Sequence, residues 1–143
     1  MIKKQKILVI RFSSIGDIIL TTPVVRALKQ KDFIVHFLTK TNNISIIQNN
    51  IFVDKIYMIN KSIYEIIEDL KNEEYDIIVD LHNNLRSNLL RIHLKIKTFK
   101  VRKNNLGKFL YIYFGINCLK NQHVVSKNLK TISSLVNDEY DNK

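Results

Sequence analysis

The feature that most constrains the fold is a short apolar run that leads directly into a polar turn and then into a helical pattern. Residues 7–10 are Ile, Leu, Val and Ile, and three of the four are β-branched, which is typical of a buried strand. Open α/β sheets bind ligands at the carboxyl ends of their strands, so side chains in this turn are candidates for chemistry. The turn carries Arg11, Ser13, Ser14, Gly16 and Asp17.

Strand-like and helix-like segments alternate along the rest of the chain. Strands are predicted over residues 6–11, 33–38, 55–59, 75–81 and 98–101. Helices are predicted over residues 17–31, 44–48, 63–72, 85–94, 104–115 and 126–136. This alternation implies parallel crossovers, so we expect an α/β fold: a doubly wound, mainly parallel Rossmann-like sheet with helices on both faces. We expect one domain over residues 1–137 and a polar tail over 138–143.

Two helix starts have local signals of their own. Ser62 is followed three residues later by Glu65, which is the spacing of a capping box. Pro23 either begins a regular helix with Thr22 as its cap or kinks the helix predicted over residues 17–31.

Composition narrows the class of protein. The chain has 143 residues, enough for one domain with a real core. A single cysteine, Cys118, cannot form an internal disulfide, which fits a reducing cytoplasm. No apolar run suits a signal peptide or a membrane span. We therefore expect a cytoplasmic protein that is soluble or at most peripheral to a membrane.

The net charge of +10 is unevenly distributed, because no Asp or Glu occurs between Leu81 and Asn137. Such a field favours an anionic partner: nucleic acid, an acidic membrane surface or a phosphorylated substrate. The alternative is that an AT-rich genome enriches Lys, Asn and Ile without a functional reason. The basic residues of this stretch are Arg86, Arg91, Lys95, Lys97, Lys100, Arg102, Lys103, Lys108, Lys120, Lys127 and Lys130.

The first turn supports two interpretations. Ser14 and Asp17 have the spacing of a helix cap, in which the Ser14 hydroxyl accepts from the backbone near Asp17. Alternatively, Asp17 accepts a proton from a substrate hydroxyl. Gly16 either lets a bound group approach the backbone or takes a conformation that a Cβ forbids.

A second polar segment follows the strand predicted over residues 75–81. Asp80 is more simply explained as a cap of the next turn than as a catalytic group. Arg86 near a helix start opposes the helix dipole, which hints at an anion held by its guanidinium and the helix N–H groups. His82 has no partner at metal-ligand or triad spacing, so we expect no metal site. Asn84 and Ser87 complete the polar set.

Several common motifs are absent from the sequence. Its three glycines cannot form a dinucleotide fingerprint or a P-loop, and neither a Cys/His zinc cluster nor a G-x-S-x-G elbow occurs. The aromatic segment 109–114, between Lys108 and Lys120, is most simply a core helix; lipid contact and stacking on single-stranded nucleic acid are the alternatives.

Taken together, these segments resemble the N-terminal domain of glycosyltransferase family 9, the lipopolysaccharide heptosyltransferases. The first block is Ile-Leu-Val-Ile-Arg-Phe-Ser-Ser-Ile-Gly-Asp at 7–17, continued by Thr-Thr-Pro-Val-Val-Arg-Ala-Leu at 21–28. The second block runs from Tyr-Asp-Ile-Ile-Val-Asp-Leu at 75–81 to Leu-Arg-Ser at 85–87, and His-Val-Val at 123–125 is a weaker match.

The resemblance implies one half of a GT-B enzyme, in which this domain holds the acceptor and a second domain holds the ADP-sugar. It implies inverting, metal-independent transfer of heptose from ADP-heptose to the lipopolysaccharide inner core, without a cofactor. Asp17 would then be the general base. The acceptor cleft would be lined by Arg11, Ser13, Ser14, Gly16, Asn84, Arg86 and Ser87.

The same resemblance implies that the nucleotide-sugar domain is absent from this chain. We therefore expect little or no transfer by the chain alone, whose other half is either a separate donor-domain chain or lost from a decayed gene. The alternative function is a non-catalytic module that binds an anionic glycolipid or the cytoplasmic face of the inner membrane. Nucleic-acid binding ranks last of the three.

Overall fold

A five-stranded parallel sheet organises the computed structural model, which describes residues 2–102 and 124–136. The strands are β1 (Lys6–Ile10), β2 (Ile34–Lys40), β3 (Lys55–Ile59), β4 (Ile77–Asp80) and β5 (Thr98–Lys100). The spatial order is β3-β2-β1-β4-β5, so the chain winds outward from β1 to one edge and then returns to the other side of β1. The predicted doubly wound parallel sheet is confirmed.

Helices connect the strands, together with two short 3₁₀ turns at Thr41–Asn43 and Ile63–Glu65. The helix predicted over residues 104–115, the aromatic segment 109–114 and the tail 138–143 lie outside the described residues. The helices are α1 (Ile15–Ile19), α2 (Thr22–Gln30), α3 (Ile44–Ile47), α4 (Ile67–Asn72), α5 (Leu85–Leu94), α6 (Val124–Thr131) and α7 (Ser133–Val136).

The hydrophobic core has two layers, one on each face of the sheet. Side chains alternate between the faces of a strand, so Ile7 and Val9 of β1 enter one layer while Leu8 and Ile10 enter the other. The first layer packs against α1, α2 and α3, and the second against α4 and α5. Every residue of β4 is buried, as its continuous apolar pattern predicts.

The helix predicted over residues 17–31 is divided into α1 and α2. Pro23 is the second residue of α2 and has no N–H for the helical ladder, so a new helix begins there. Thr21 is the N-cap residue, and the prediction that Thr22 caps this helix is wrong. The buried Thr21 hydroxyl instead donates to the carbonyl of Ile18 at 2.6 Å, joining the two helices.

The capping box at Ser62 is confirmed. The Glu65 carboxylate accepts from the backbone N–H groups of Asn60, Lys61 and Ser62 at 2.7–2.9 Å, and the Ser62 hydroxyl accepts from Tyr64 N. The predicted helix over 63–72 is nevertheless split at Ile66 into a 3₁₀ turn and α4.

An ion-pair network lies at the end of the sheet where the strands begin. The Glu73 carboxylate is 14% exposed and lies 2.9 Å from the ammonium of Lys6 and 2.5 Å from that of Lys55. It also accepts from the Tyr57 hydroxyl. Hydrogen bonds, first of all from Lys55, lower the pKa of Glu73 to about 2, so this carboxylate is ionised over almost the whole pH range.

Candidate active site and basic groove

β1 and β4 lie side by side where the winding of the sheet reverses, and the turns after them form the candidate site. Arg11 follows β1 directly, and its Nη1 donates to the carbonyl oxygen of Leu81 at 2.6 Å. Leu81 N in turn donates to the Ile10 carbonyl at 3.1 Å. In open α/β sheets such a switch point is the usual place for a ligand.

The Asp17 carboxylate is held at this point by three donors that share one oxygen. Arg11 Nη2 lies 2.7 Å from Oδ2, the Ser14 hydroxyl donates to it at 2.8 Å and Ser14 N at 3.3 Å. The other oxygen, Oδ1, has no hydrogen bond from any residue within 2–102 or 124–136. The Asp17 side chain is 31% exposed, so it is neither sealed in the core nor fully solvated.

These contacts fix the ionisation of Asp17. Partial burial on its own raises the pKa of this carboxyl, but the hydrogen bond from Ser14 and the charge of Arg11 outweigh it. The pKa of Asp17 is therefore held below its ordinary value of 3.8, and the group is a carboxylate at neutral pH. Ser14 is the N-cap residue of α1 and has the capping-box arrangement with Asp17, as the spacing predicts, but the Ser14 hydroxyl makes its hydrogen bond as a donor to the Asp17 carboxylate rather than as an acceptor from the backbone.

Gly16 lies within α1 and is exposed, with no atom within 4 Å of the position that a Cβ would occupy. Its backbone is helical, so the interpretation that Gly16 takes a conformation forbidden to other residues is wrong. The open space beside it still permits the close approach of a bound group, which stays a prediction.

The turn after β4 is built around a buried carboxylate. Asp80 is fully buried, and its Oδ1 accepts from His82 N at 3.0 Å and from Asn83 N at 2.7 Å. Its other oxygen lies 3.3 Å from Arg91 Nε of α5. The structural interpretation of Asp80 is thus supported: the residue shapes the turn that presents the start of α5.

Asn84 caps α5. Its side-chain oxygen accepts from Ser87 N at 2.9 Å, while Asn84 N donates to the Ser87 hydroxyl at 2.9 Å. Ser87 is fully buried and takes part in this reciprocal cap. Its position therefore fits a structural role better than the predicted contact with substrate. The N–H groups of Leu85 and Arg86, by contrast, are not used by the cap.

A groove of about 470 Å³ runs along the carboxyl edge of the sheet, and residues from four successive strand ends line it. Its apolar floor is Phe12, which is 1% exposed and touched edge-on by His82 with ring centres 5.2 Å apart. The Arg86 guanidinium carbon lies 5.7 Å from the centre of the Phe12 ring. The Arg86 guanidinium therefore lies over the floor of the groove.

The groove is basic. Its lining includes Lys40 at the end of β2, Lys61 after β3 and Arg86 on α5, and it includes no acidic residue. None of these three side chains has an ion-pair partner within the described part of the chain. The sequence prediction does not include Lys40 and Lys61. Both lie close to the ends of predicted strands, and the same position relative to a strand is what singles out Arg11 and Asp80.

The predicted site residues fall into two neighbouring groups. Ser13, Asn84 and Arg86 line the groove. Arg11, Ser14, Gly16 and Asp17 lie after β1, where Arg11 and Ser14 contact the Asp17 carboxylate. Ser87 is buried in the α5 cap, and none of these five residues is part of the groove lining. The arrangement is an ionised carboxylate beside a cationic groove, joined through the short segment Phe12–Ser13.

Metal chemistry has no candidate centre in the parts of the chain that the structure describes. No group of three or more His, Cys, Asp or Glu side chains there is placed to hold a metal ion. Among the same residues, no helix is long and apolar enough to cross a membrane.

The fold belongs to a recognisable class, the Rossmann-like α/β domains that GT-B glycosyltransferases also contain. No family model matches the sequence, and no curated protein matches it either. Solved structures do match: a glycosyltransferase family 9 protein from Veillonella parvula DSM 2008 superimposes with a TM-score of 0.72 at 20% identity. The match covers 96% of this chain and 44% of that one.

Two Escherichia coli enzymes have the same fold. Heptosyltransferase WaaC with bound ADP matches with a TM-score of 0.69 at 17% identity, over 92% of this chain and 47% of WaaC. ADP-heptose lipopolysaccharide heptosyltransferase II matches with a TM-score of 0.59 at 19% identity, over 67% of this chain and 30% of that enzyme. The predicted resemblance is confirmed as a likeness of fold, and the chain spans less than half the length of these structures.

Proposed function

We propose that this chain is the acceptor-binding part of a family 9 glycosyltransferase that transfers heptose from ADP-heptose to the lipopolysaccharide inner core in the cytoplasm. The observation that carries the proposal is the ionised Asp17 carboxylate at the switch point, beside a basic groove. The fold shared with two heptosyltransferases supports it. In this proposal the ADP-heptose site is supplied mainly by a second domain, in the same or a separate chain.

The basic groove suits an acidic acceptor. Phosphates and acidic sugars pair with Lys40, Lys61 and Arg86, and the two unused N–H groups at the start of α5 add donors at the positive end of its dipole.

The proposed chemistry uses the two oxygens of Asp17 differently. Arg11 and Ser14 fix Oδ2, which leaves Oδ1 to accept the proton of an acceptor hydroxyl as its oxygen attacks the anomeric carbon of the donor. The C–O bond to the nucleotide diphosphate breaks as the new glycosidic bond forms, so the anomeric configuration inverts. This step requires no metal from the present chain.

Acceptor binding is testable on the chain itself. We expect a heptose-free inner-core oligosaccharide to bind, and Arg86→Gln to weaken its affinity about tenfold, as for one lost charged hydrogen bond. Arg26→Gln, which changes an exposed arginine on α2, is the matched control and is expected to have no effect. Equal affinity for wild type and Arg86→Gln excludes the groove as the acceptor site.

Transfer is tested by fusing the chain to the ADP-binding part of WaaC and supplying ADP-heptose. Asp17→Asn is expected to lower the transfer rate 10²–10⁴-fold with unchanged oligosaccharide affinity, because the base is lost and the groove is kept. Undiminished turnover in Asp17→Asn removes that residue from the mechanism. Arg86-dependent binding without any transfer by the fusion identifies a non-catalytic glycolipid-binding module instead.

A further inference from the structure

Helix α5 carries apolar side chains on its outer face as well as its inner one. Leu85, Leu89 and Ile92 recur at positions i, i+4 and i+7, which share one face of a helix. Their side chains are 77%, 38% and 65% exposed. The opposite face packs on the sheet through the fully buried Leu90, so the core does not explain the outer stripe.

Tyr64 extends this stripe across to the neighbouring segment. It is 62% exposed, it lines the groove together with Leu85 and Leu89, and its ring lies edge-on to that of His93, 5.5 Å away. Tyr64, Leu85, Leu89 and Ile92 together form one surface, which we call the α5 apolar patch. Contiguous exposed apolar surface of this kind marks an interaction site.

Basic residues stand at both ends of the patch. Lys61 and Arg86 line the groove next to Leu85, and the exposed Lys95 follows the end of α5. The 3₁₀ turn that contains Tyr64 also contains Glu65, whose carboxylate accepts from three backbone N–H groups. No acidic residue occurs in the sequence from the start of α5 to Asn137.

We propose that the α5 apolar patch docks onto a membrane surface rich in anionic lipids. Apolar side chains enter the boundary between head groups and acyl chains, and Lys95, outside the groove, pairs with lipid phosphates. Lys61 and Arg86 remain in the groove, and their positive charges add to the attraction of an anionic surface. The pairing of an apolar stripe with cations favours this partner over a second copy of the chain, because two copies would place these cations face to face. Docking does not depend on the proposed transfer.

The patch also borders the mouth of the groove, since Tyr64, Leu85 and Leu89 belong to both. A membrane-bound chain therefore presents the groove to the head-group layer. In combination with the proposed function, this places a lipid-linked acceptor within reach of Arg86 while its acyl chains stay in the bilayer.

Vesicle binding tests the proposal with the whole 143-residue chain. We expect the chain to float with vesicles of phosphatidylglycerol and phosphatidylcholine, and much less with phosphatidylcholine alone. Ile92→Glu is expected to weaken this binding at least about tenfold. The matched control is Ile51→Glu, which changes an 85% exposed isoleucine outside the patch and is expected to bind like wild type.

The design separates this proposal from the groove. Ile92 is not part of the groove lining, so Ile92→Glu is expected to keep its oligosaccharide affinity, and thermal unfolding checks that the variant is folded. Three results overturn the proposal: no binding to phosphatidylglycerol vesicles at low salt, equal binding by Ile92→Glu, or a wild-type dimer that Ile92→Glu converts to monomer.

Discussion

Replacing Arg11 with Met tests the physical basis of the candidate active site. The two side chains have similar length, so the change removes charge and donors while much of the apolar packing remains. Two contacts are lost: the hydrogen bond to the Leu81 carbonyl at 2.6 Å and the ion pair with Asp17 at 2.7 Å.

The size of the effect follows from these two contacts. A partly buried carbonyl left without its donor costs about 1–3 kcal/mol. An ion pair to a carboxylate that is 31% exposed contributes about 1 kcal/mol, because solvent screens it. We expect Arg11→Met to lower the free energy of unfolding by about 2–4 kcal/mol, or Tm by roughly 5–15 °C.

The same substitution changes the ionisation of Asp17. In wild type the lowered pKa contributes stability that is present above 3.8, the ordinary value, and is lost as pH falls through the lower folded-state pKa. Without Arg11 the pKa of Asp17 is expected to rise toward 3.8 or above, and this part of the acid sensitivity disappears.

Urea unfolding at neutral and acidic pH measures the stability, and a carbon-13 NMR titration of the Asp17 carboxyl measures its pKa. Arg26→Met, at an exposed site on α2, controls for the general loss of an arginine. Wild-type stability in Arg11→Met, or an unchanged Asp17 pKa, refutes the reasoning.

Three further predictions concern stability, each read from chemical denaturation. Glu73→Gln removes a carboxylate whose pKa is lowered from 4.5 to about 2, chiefly by the hydrogen bond from Lys55. In wild type this carboxylate contributes stability that is present above pH 4.5 and is lost as the pH falls toward 2, and Glu73→Gln is expected to reduce that pH dependence. Asn84→Ala removes the α5 cap and is expected to cost about 0.5–2 kcal/mol, whereas an unchanged midpoint contradicts the capping role. Leu90→Ala is expected to cost about 2–5 kcal/mol but Leu85→Ala, on the outer face, under about 0.5 kcal/mol; similar losses would disprove the assigned faces.

Much of the fold is predictable from the sequence, because strands buried in a parallel sheet are short apolar runs bounded by polar and turn-forming residues. The third strand is predicted at Lys55–Ile59 and α5 at Leu85–Leu94, and the structure has both at these bounds. Helix interruptions are harder. The break at Ile66 has neither Pro nor Gly at that position, so local composition gives no signal for it.

The candidate site is only partly predictable. Spacing along the chain identifies the turn after β1, since Ser14 and Asp17 interact with near neighbours. The groove joins segments that are remote in sequence, and Lys61 enters it only because β3 lies two strands away from β1 in the sheet. Strand order of this kind depends on tertiary packing, which local sequence patterns do not reveal.

Ser87 illustrates the opposite error. The family resemblance places Ser87 in the lining of the acceptor cleft, whereas the structure buries its side chain in a reciprocal cap with Asn84. A polar side chain three positions after an N-cap often hydrogen-bonds to the N-cap backbone, because the N–H groups at a helix start have no partner within the helix. Such a side chain is then not available to a ligand.

The bond from Arg11 to Leu81 joins two residues separated by 70 positions in the chain. The Arg11 guanidinium can reach this acceptor only after β4 has paired with β1. This pairing is a non-local step, because the two strands are far apart in the sequence. The final geometry of the turn after β1 therefore forms only when the central strand pair is complete. A chain interrupted before β4 during synthesis carries the Arg-Phe-Ser-Ser-Ile-Gly-Asp segment without its final geometry.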